Sequence, residues 1–260
     1  LAWPNVLAWI NFAGMAEVDD SCHSSPKFAK LIHAARLLAG RGKLGGRRWK
    51  STNRSGDLPV YLELVDWRRA MAQLYADVRA NPSPEDGHAS WKAGRDELFL
   101  HHPQSPLEDG DPLRDNGLPY WPYEPALRFT SPLRPPGEPR TMTVPSGEGD
   151  IRMSLAGQVH LPGPIDADVD VWWLDQYAGG LFLPLRDGTA GRGSYGGGRY
   201  LLDSAKSAEL GVEGSELVLD LNFLYHPSCR YSPRWSCPLA PAGNRVAYEI
   251  QAGESMTPVA

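Results

Sequence analysis

Residues 168–185 read DVDVWWLDQYAGGLFLPL. Two apolar-rich runs, 168–174 and 181–185, flank a six-residue connection that ends in Gly179 and Gly180, the pattern of an antiparallel hairpin. Pro184 has no ladder donor and predicts an edge position or a bulge. The same grammar continues on both sides. Ile151-Arg-Met-Ser-Leu155 and Leu217-Val-Leu-Asp-Leu-Asn-Phe223 alternate with a period of two, so one face of each strand is buried. Strands are predicted at 127–131, 140–144, 150–161, 168–174, 181–186, 199–202, 216–223 and 245–251. Eight strands with hairpin-length connections predict a mainly β fold, an antiparallel barrel or sandwich.

Upstream the period changes. Leu64, Trp67, Met71, Leu74 and Val78 fall at three- and four-residue steps and share one helical face. Ser83-Pro84-Glu85-Asp86 supplies a capping serine, a proline in the first turn and an acid three residues after the cap. That second helix runs to about His101, with Trp91, Leu98 and Phe99 facing inward, and stops before Pro103. By content the fold is α+β, two amphipathic helices preceding the strands. A third, shorter helix is expected where Ser25-Pro26 precedes Phe28, Leu31, Ile32, Ala35 and Leu38. It lies in an N-terminal extension, 1–56, expected to be partly disordered, while 57–257 reads as a single domain.

The 260 residues include 27 glycines, 24 prolines and 25 aromatics, with 42% apolar and 22% charged residues, a turn-rich globular composition rather than a disordered one. No run approaches the ~20 apolar residues of a spanning helix. Residues 1–59 carry nine Lys/Arg against four Asp/Glu, and the remaining 201 carry 17 against 27. An acidic body repels phosphate backbones, so nucleic-acid binding is not expected, and the Gly-rich basic segment 41–54 reads as a solvated linker. Three cysteines, Cys22, Cys229 and Cys237, are too few and odd in number for a secreted disulfide framework. Residues 1–14 lack the charge and cleavage pattern of a secretory signal. Both readings favour a cytoplasmic protein with free thiols.

The densest candidate for chemistry is the segment from Asp187 to Gly198, which holds six glycines. Gly191, Gly193 and Gly196 spell a dinucleotide fingerprint, but a strand rather than a helix follows them, so the mechanism that needs a helix N-terminus fails. Two readings remain. Backbone N–H groups around Gly197 and Gly198, with Arg186 and Arg199, would hold an anion. Alternatively the glycines make a hairpin and bulge while the arginines pair with acids such as Asp187 or Asp220. Asp220 and Asn222 share a strand face and would join Tyr195 and Arg199 as an orienting set in a pocket. Asp187 or Asp220 as base, with His226 or Tyr195 as acid, are the candidate catalytic groups of a hydrolase or lyase. His226, Cys229 and Cys237 are weak metal candidates, because neither a Cys-x2-Cys spacing nor a fourth ligand accompanies them. A Cys229–Cys237 disulfide requires an oxidising setting.

Trp91-Lys-Ala-Gly-Arg-Asp-Glu-Leu-Phe99, His102-Pro-Gln-Ser-Pro-Leu107, Gly117-Leu-Pro-Tyr-Trp-Pro-Tyr123, the run from Leu181 to Tyr200, the run from Leu219 to Arg245, and Gln251-Ala-Gly-Glu254 together resemble a bacterial and archaeal family, the domain of unknown function 1684. The resemblance spans about residues 60–255. It implies that the helical start and the strand-rich body form one domain, with 1–56 outside it, and it implies no activity. Tyr195, Arg199, Asp220, Asn222, Cys229, Cys237, Asn244 and Arg245 match the family pattern. Gly193, His226 and Gly243 depart from it, standing where the resemblance implies glutamate, asparagine and glutamate, and these losses suit binding better than carboxylate chemistry.

The leading expectation is therefore a protein that binds a small polar or anionic metabolite at the glycine-rich loop, without a cofactor, a nucleic acid or a membrane. The alternatives are the hydrolase or lyase and a structural or interaction domain, metal-stabilised or not.

Overall fold

The computed structural model describes residues 60–145, 149–177 and 179–256. The expected extension 1–56, its short helix, the basic segment 41–54 and Cys22 lie outside the described residues.

Helix α1 (Val60–Ala80) buries Met71 and Tyr75, with Trp67, Leu74 and Val78 packed against the same cluster. Helix α2 (Pro84–His101) begins as the sequence predicts: Ser83 is extended, and its hydroxyl accepts the Asp86 N–H at 3.3 Å. Its buried face comprises His88, Trp91, Arg95 and Phe99. These fall at three- and four-residue steps, so the inward stripe carries a guanidinium that a search for apolar periodicity passes over. A one-turn helix, α3 (Leu113–Asn116), ends at Gly117.

Among the described residues eight strands form two antiparallel sheets and no closed barrel. The larger sheet has the order β2 (Thr141–Val144), β3 (Ile151–Leu161), β4 (Ala167–Leu174), β5 (Leu181–Leu185), β6 (Arg199–Asp203). The smaller has β1 (Arg128–Ser131) beside β8 (Glu216–Asp220), and β8 beside β7 (Val212–Glu213). Val159, Val171, Leu183 and Leu201 from the first sheet share one core with Leu219 from the second, so the two apolar faces meet. A second apolar cluster joins Met71, Tyr75 and Trp91 of the helices to Trp172, Phe182 and Tyr200 of the larger sheet. The hairpin read from residues 168–185 is present as β4 and β5, and Pro184 sits at a register shift between β5 and β6 rather than at an edge.

Three expectations need correction. The strand expected at 216–223 stops at Asp220, because its Oδ1 accepts both the Asn222 N–H at 3.0 Å and Asn222 Nδ2 at 2.7 Å. A side chain that captures the backbone donor two residues on turns the chain, and 221–223 become a 3-10 turn. The two-residue strand β7 was not foreseen. The strand expected at 245–251 is absent: among the described residues the segment has a single isolated β-bridge, between Arg245 and Arg186 just past β5, and packs Val246 and Ile250 into the core with Leu183 and Leu185. The carbonyls of Ile250, Ala252 and Glu254 are instead taken by the guanidinium of Arg199.

Strand β3 kinks at a bulge between Leu155 and Gly157, where Arg134 and Gln158 exchange backbone hydrogen bonds of 2.9 Å in each direction. A Cβ at Gly157 would press into the Arg134 carbonyl and the Leu133 side chain. Gly157→Ala should therefore destabilise the fold by about 1–3 kcal/mol, the range for overpacking. A urea midpoint equal to wild type would contradict this.

Candidate functional site

The glycine-rich segment leaves β5 at Arg186 and returns as β6 at Arg199, and its polar groups are turned onto the protein itself. Arg199 is fully buried. It donates to Asp187 Oδ2 at 2.7 Å and to the carbonyls of Ala252, Glu254 and Ile250 at 2.5, 3.1 and 2.9 Å, and its guanidinium lies over the Trp121 ring at 4.9 Å. Asp187 Oδ1 accepts from the Thr189 N–H, the Thr189 hydroxyl and the Ile250 N–H. Burial alone would push the Asp187 carboxyl up, but Arg199 and the Thr189 donors hold it below the usual carboxylate range.

The other expected residues divide between places. Gly198 has a φ of +94° and a Cβ there would lie 2.7 Å from the Leu185 carbonyl, so its freedom serves a turn against β5. Gly197 lies against the Tyr195 ring and Leu239. Arg186 exchanges backbone hydrogen bonds with Asn244 and Val246. Asp220 is buried, accepts from Tyr123 Oη at 3.2 Å, and borders a cleft with Arg79, Arg128 and Glu213. Asn222 clasps the Glu124 backbone, accepting its N–H at 2.8 Å and donating to its carbonyl at 3.0 Å. Asp220 and Asn222 thus meet each other but not Tyr195 or Arg199 through any hydrogen bond. The Tyr195 N–H donates to His226 Nε2 at 3.1 Å.

His226 leads to a feature that sequence reasoning missed. Glu254 is buried and accepts from Arg95 Nη2 at 2.9 Å, from the His226 N–H at 2.9 Å and from the Tyr231 hydroxyl, while His226 Nδ1 stands 3.5 Å from its Oε1. Burial pushes Glu254 up, but Arg95 and then His226 outweigh it and hold the carboxyl low. Burial also lowers His226, against the pull of Glu254, so the imidazole is neutral. Arg95 donates its Nε to Tyr120 Oη at 3.2 Å and lies between the rings of Trp91, Phe99 and Tyr225 at 5.0, 4.9 and 5.0 Å.

Arg95 commits Nε and Nη2 in this way and leaves Nη1 without a hydrogen-bond partner among the described residues, where it borders a cleft of about 180 Å³. The cleft lies between α1, α2 and the segment 225–235. Its aromatic lining is Trp67, Phe99, Tyr200, Tyr225 and Trp235; its cations are Arg68, Arg95 and Lys206; no carboxylate lines it among the described residues. Lys206 pairs with Asp203 at 2.9 Å, whereas Arg68 has no ion pair or hydrogen bond within the described residues. Among the sequence-predicted residues only His226 lines this cleft, and no residue is shared with the cleft that Asp220 borders. Among the described residues no three His, Cys, Asp or Glu side chains are grouped as metal ligands. Cys229 and Cys237 are free thiols, both partly exposed, and the Cys229 sulfur lies 3.9 Å from Tyr195 Oη.

Arg199→Ala strands Asp187 and three backbone carbonyls, and should cost about 3–5 kcal/mol, the range for breaking a buried charge pair. Acid should act in two stages. His226 is lowered, and His88, buried against Trp91, is lowered to about 4, so the unfolded chain gains protons first and stability falls between roughly pH 6.5 and 4. Asp187 and Glu254 are held below their unfolded values, so their contribution is complete above about pH 4 and is lost as pH drops through the folded values. A melting temperature that stays constant from pH 6.5 to 4 would contradict the first stage.

A search of curated proteins returned no match. Among solved structures, the chain is similar to an uncharacterised protein of Haloarcula marismortui determined by solution NMR, with 27% identity over 66% of this chain and 94% of that one and a TM-score of 0.48. The family described as "Protein of unknown function (DUF1684)" matches residues 115–255, more than half of the sequence. The protein belongs to that family.

Proposed function

We propose that the protein binds a small anionic molecule with a flat apolar part, and that the site is the cleft between α1, α2 and the segment 225–235. The observation that carries this reading is the imbalance of charge. Two of its cations have carboxylate partners, Arg95 with Glu254 and Lys206 with Asp203, while among the described residues Arg68 has none and Arg95 Nη1 has no hydrogen-bond partner. An anion entering there would gain charge-assisted hydrogen bonds without displacing a carboxylate. The aromatic walls would hold a planar body, as apolar clefts with a few directed polar groups do. The glycine-rich loop serves this site from behind: the Tyr195 N–H fixes the His226 ring, which forms part of the wall. The free thiols fit a reducing compartment such as the cytoplasm.

A panel of aromatic carboxylates and their uncharged amides tests the idea by thermal shift. At about 100 times Kd a ligand adds ~2.7 kcal/mol, which for a domain of this size raises Tm by roughly 5–10 °C. Carboxylates should stabilise and amides should not, and Arg68→Ala should remove most of the shift while leaving the unliganded Tm near wild type. No shift across the panel, or equal shifts with the amides, would contradict the proposal.

A further inference from the structure

We propose that Arg186 and Arg245 form a second anion site, separate from the aromatic cleft, which takes the dianionic phosphate group of a free phosphate ion or of a small phosphate monoester. The two residues are partners in an isolated parallel bridge: the Arg186 N–H donates to the Asn244 carbonyl at 2.9 Å, and the Val246 N–H donates to the Arg186 carbonyl at 3.0 Å. Bridge partners direct their side chains to one side, and burial alternates to match. Leu185 and Asp187 in one segment, and Asn244 and Val246 in the other, are buried, whereas Arg245 is exposed and Arg186 partly so. Both arginine side chains therefore leave the same face. The backbone that carries them is fixed. Asn244 donates Nδ2 to the Asp170 carbonyl at 2.7 Å and accepts from Trp172 Nε1 at 3.2 Å, and Val246 packs in the core.

The distribution of charge singles out this pair. The loop from Arg186 to Arg199 and the segment from Arg245 to Ile250 carry four arginines and two carboxylates. Arg199 holds Asp187 and Arg192 holds Glu249, each at 2.7 Å. Asp170, which lies against Gly243, is held by Arg140 and Gln158 at 2.5 and 2.9 Å. The two arginines that remain are the bridge partners. Among the described residues neither side chain has an ion pair, a hydrogen bond or an aromatic ring beneath it. Nor is Arg186 a freely solvated surface charge, since its Nε is closed off from water and has no acceptor. The fold thus leaves a partly desolvated cation beside a like charge without compensation, a costly state that an anion would relieve. Two positive charges on one face match one dianion, and guanidinium groups bind tetrahedral oxyanions through paired N–H···O bonds. A phosphate monoester, whose second pKa is about 6, carries nearly that charge at neutral pH.

The test follows the arginine Nε–H signals of the full chain by nuclear magnetic resonance during titration with inorganic phosphate, with ethyl phosphate and, as control, with sodium chloride at matched ionic strength. Phosphate should shift the Arg186 and Arg245 signals saturably, and chloride should not. Arg186→Gln and Arg245→Gln should each weaken phosphate binding by about tenfold or more, the scale of one lost charge-assisted hydrogen bond. Arg68→Ala, which alters the aromatic cleft, should leave phosphate binding unchanged, so this site and the cleft stand or fall separately. Because neither side chain holds the fold, both glutamine variants should melt close to wild type without phosphate. Tighter binding of ethyl phosphate would assign the site to phosphorylated ligands, and tighter binding of inorganic phosphate to the free ion. Equal shifts with chloride, phosphate affinity unchanged in both glutamine variants, or a loss of affinity that follows Arg68→Ala instead would each overturn the proposal.

Discussion

Among the described residues two guanidinium groups are buried, and each must be compensated where it lies. Removing a charge from water costs several kcal/mol after relaxation unless a partner and a full set of hydrogen bonds replace the solvent. Arg95 meets Glu254 and Arg199 meets Asp187. Both arginines also address the same C-terminal stretch, Arg95 through the Glu254 side chain and Arg199 through the carbonyls of Ile250, Ala252 and Glu254. The path of residues 250–254 is therefore set by charge. One consequence is that α2, which carries Arg95, is bound to the chain's far end across 159 positions of sequence. Another is that the stretch needs no strand partner, since its carbonyls already have donors.

The same arrangement determines what the cleft presents. Glu254 sits beneath Arg95 and His226, compensates the buried cation and holds the imidazole wall through the His226 N–H. What reaches the cleft is a guanidinium edge, the Lys206 ammonium and Arg68, which has no ion pair among the described residues, between aromatic rings. The carboxylates that balance the charge lie outside the lining. An anion entering there would meet positive charge in an apolar frame, a setting in which electrostatic contacts are stronger than in bulk water. The acids and bases of a hydrolase or lyase reading are not gathered comparably: Asp187 has all its bonds within the fold, and Asp220 borders another cleft.

The sequence revealed those features whose physics is local. Alternation in 151–155 and 217–223 marked buried strand faces, Ser83 marked a helix start, and Pro184 marked an edge or a bulge, because each acts on its own neighbours. Asp220 and Asn222 misled for an equally local reason, since the capture of an N–H two residues away ends a strand that the apolar period would continue. The segment 245–251 alternates like a strand, yet strand formation depends on a free neighbouring edge, and Arg199 had already taken the nearby carbonyls. Arg95 was invisible because a charge on a helix is ordinarily solvated, and nothing within four residues signals that Glu254 will cover it. The glycines at 196–198 were legible as glycines, but whether their backbone approaches a ligand or β5 depends on where Leu185 lies. The resemblance in Gln251-Ala-Gly-Glu254 did include the missed carboxylate, without indicating its partner.

The central claim is that the Arg95–Glu254 pair couples α2 to the C-terminal stretch as a single unit. A double-mutant cycle tests it directly, comparing wild type, Arg95→Met, Glu254→Gln and the double variant by urea denaturation. The account predicts a coupling of at least about 2 kcal/mol, the double variant losing far less than the sum of the single losses. Losses that add to within ~0.5 kcal/mol would show the two groups acting independently and would contradict it.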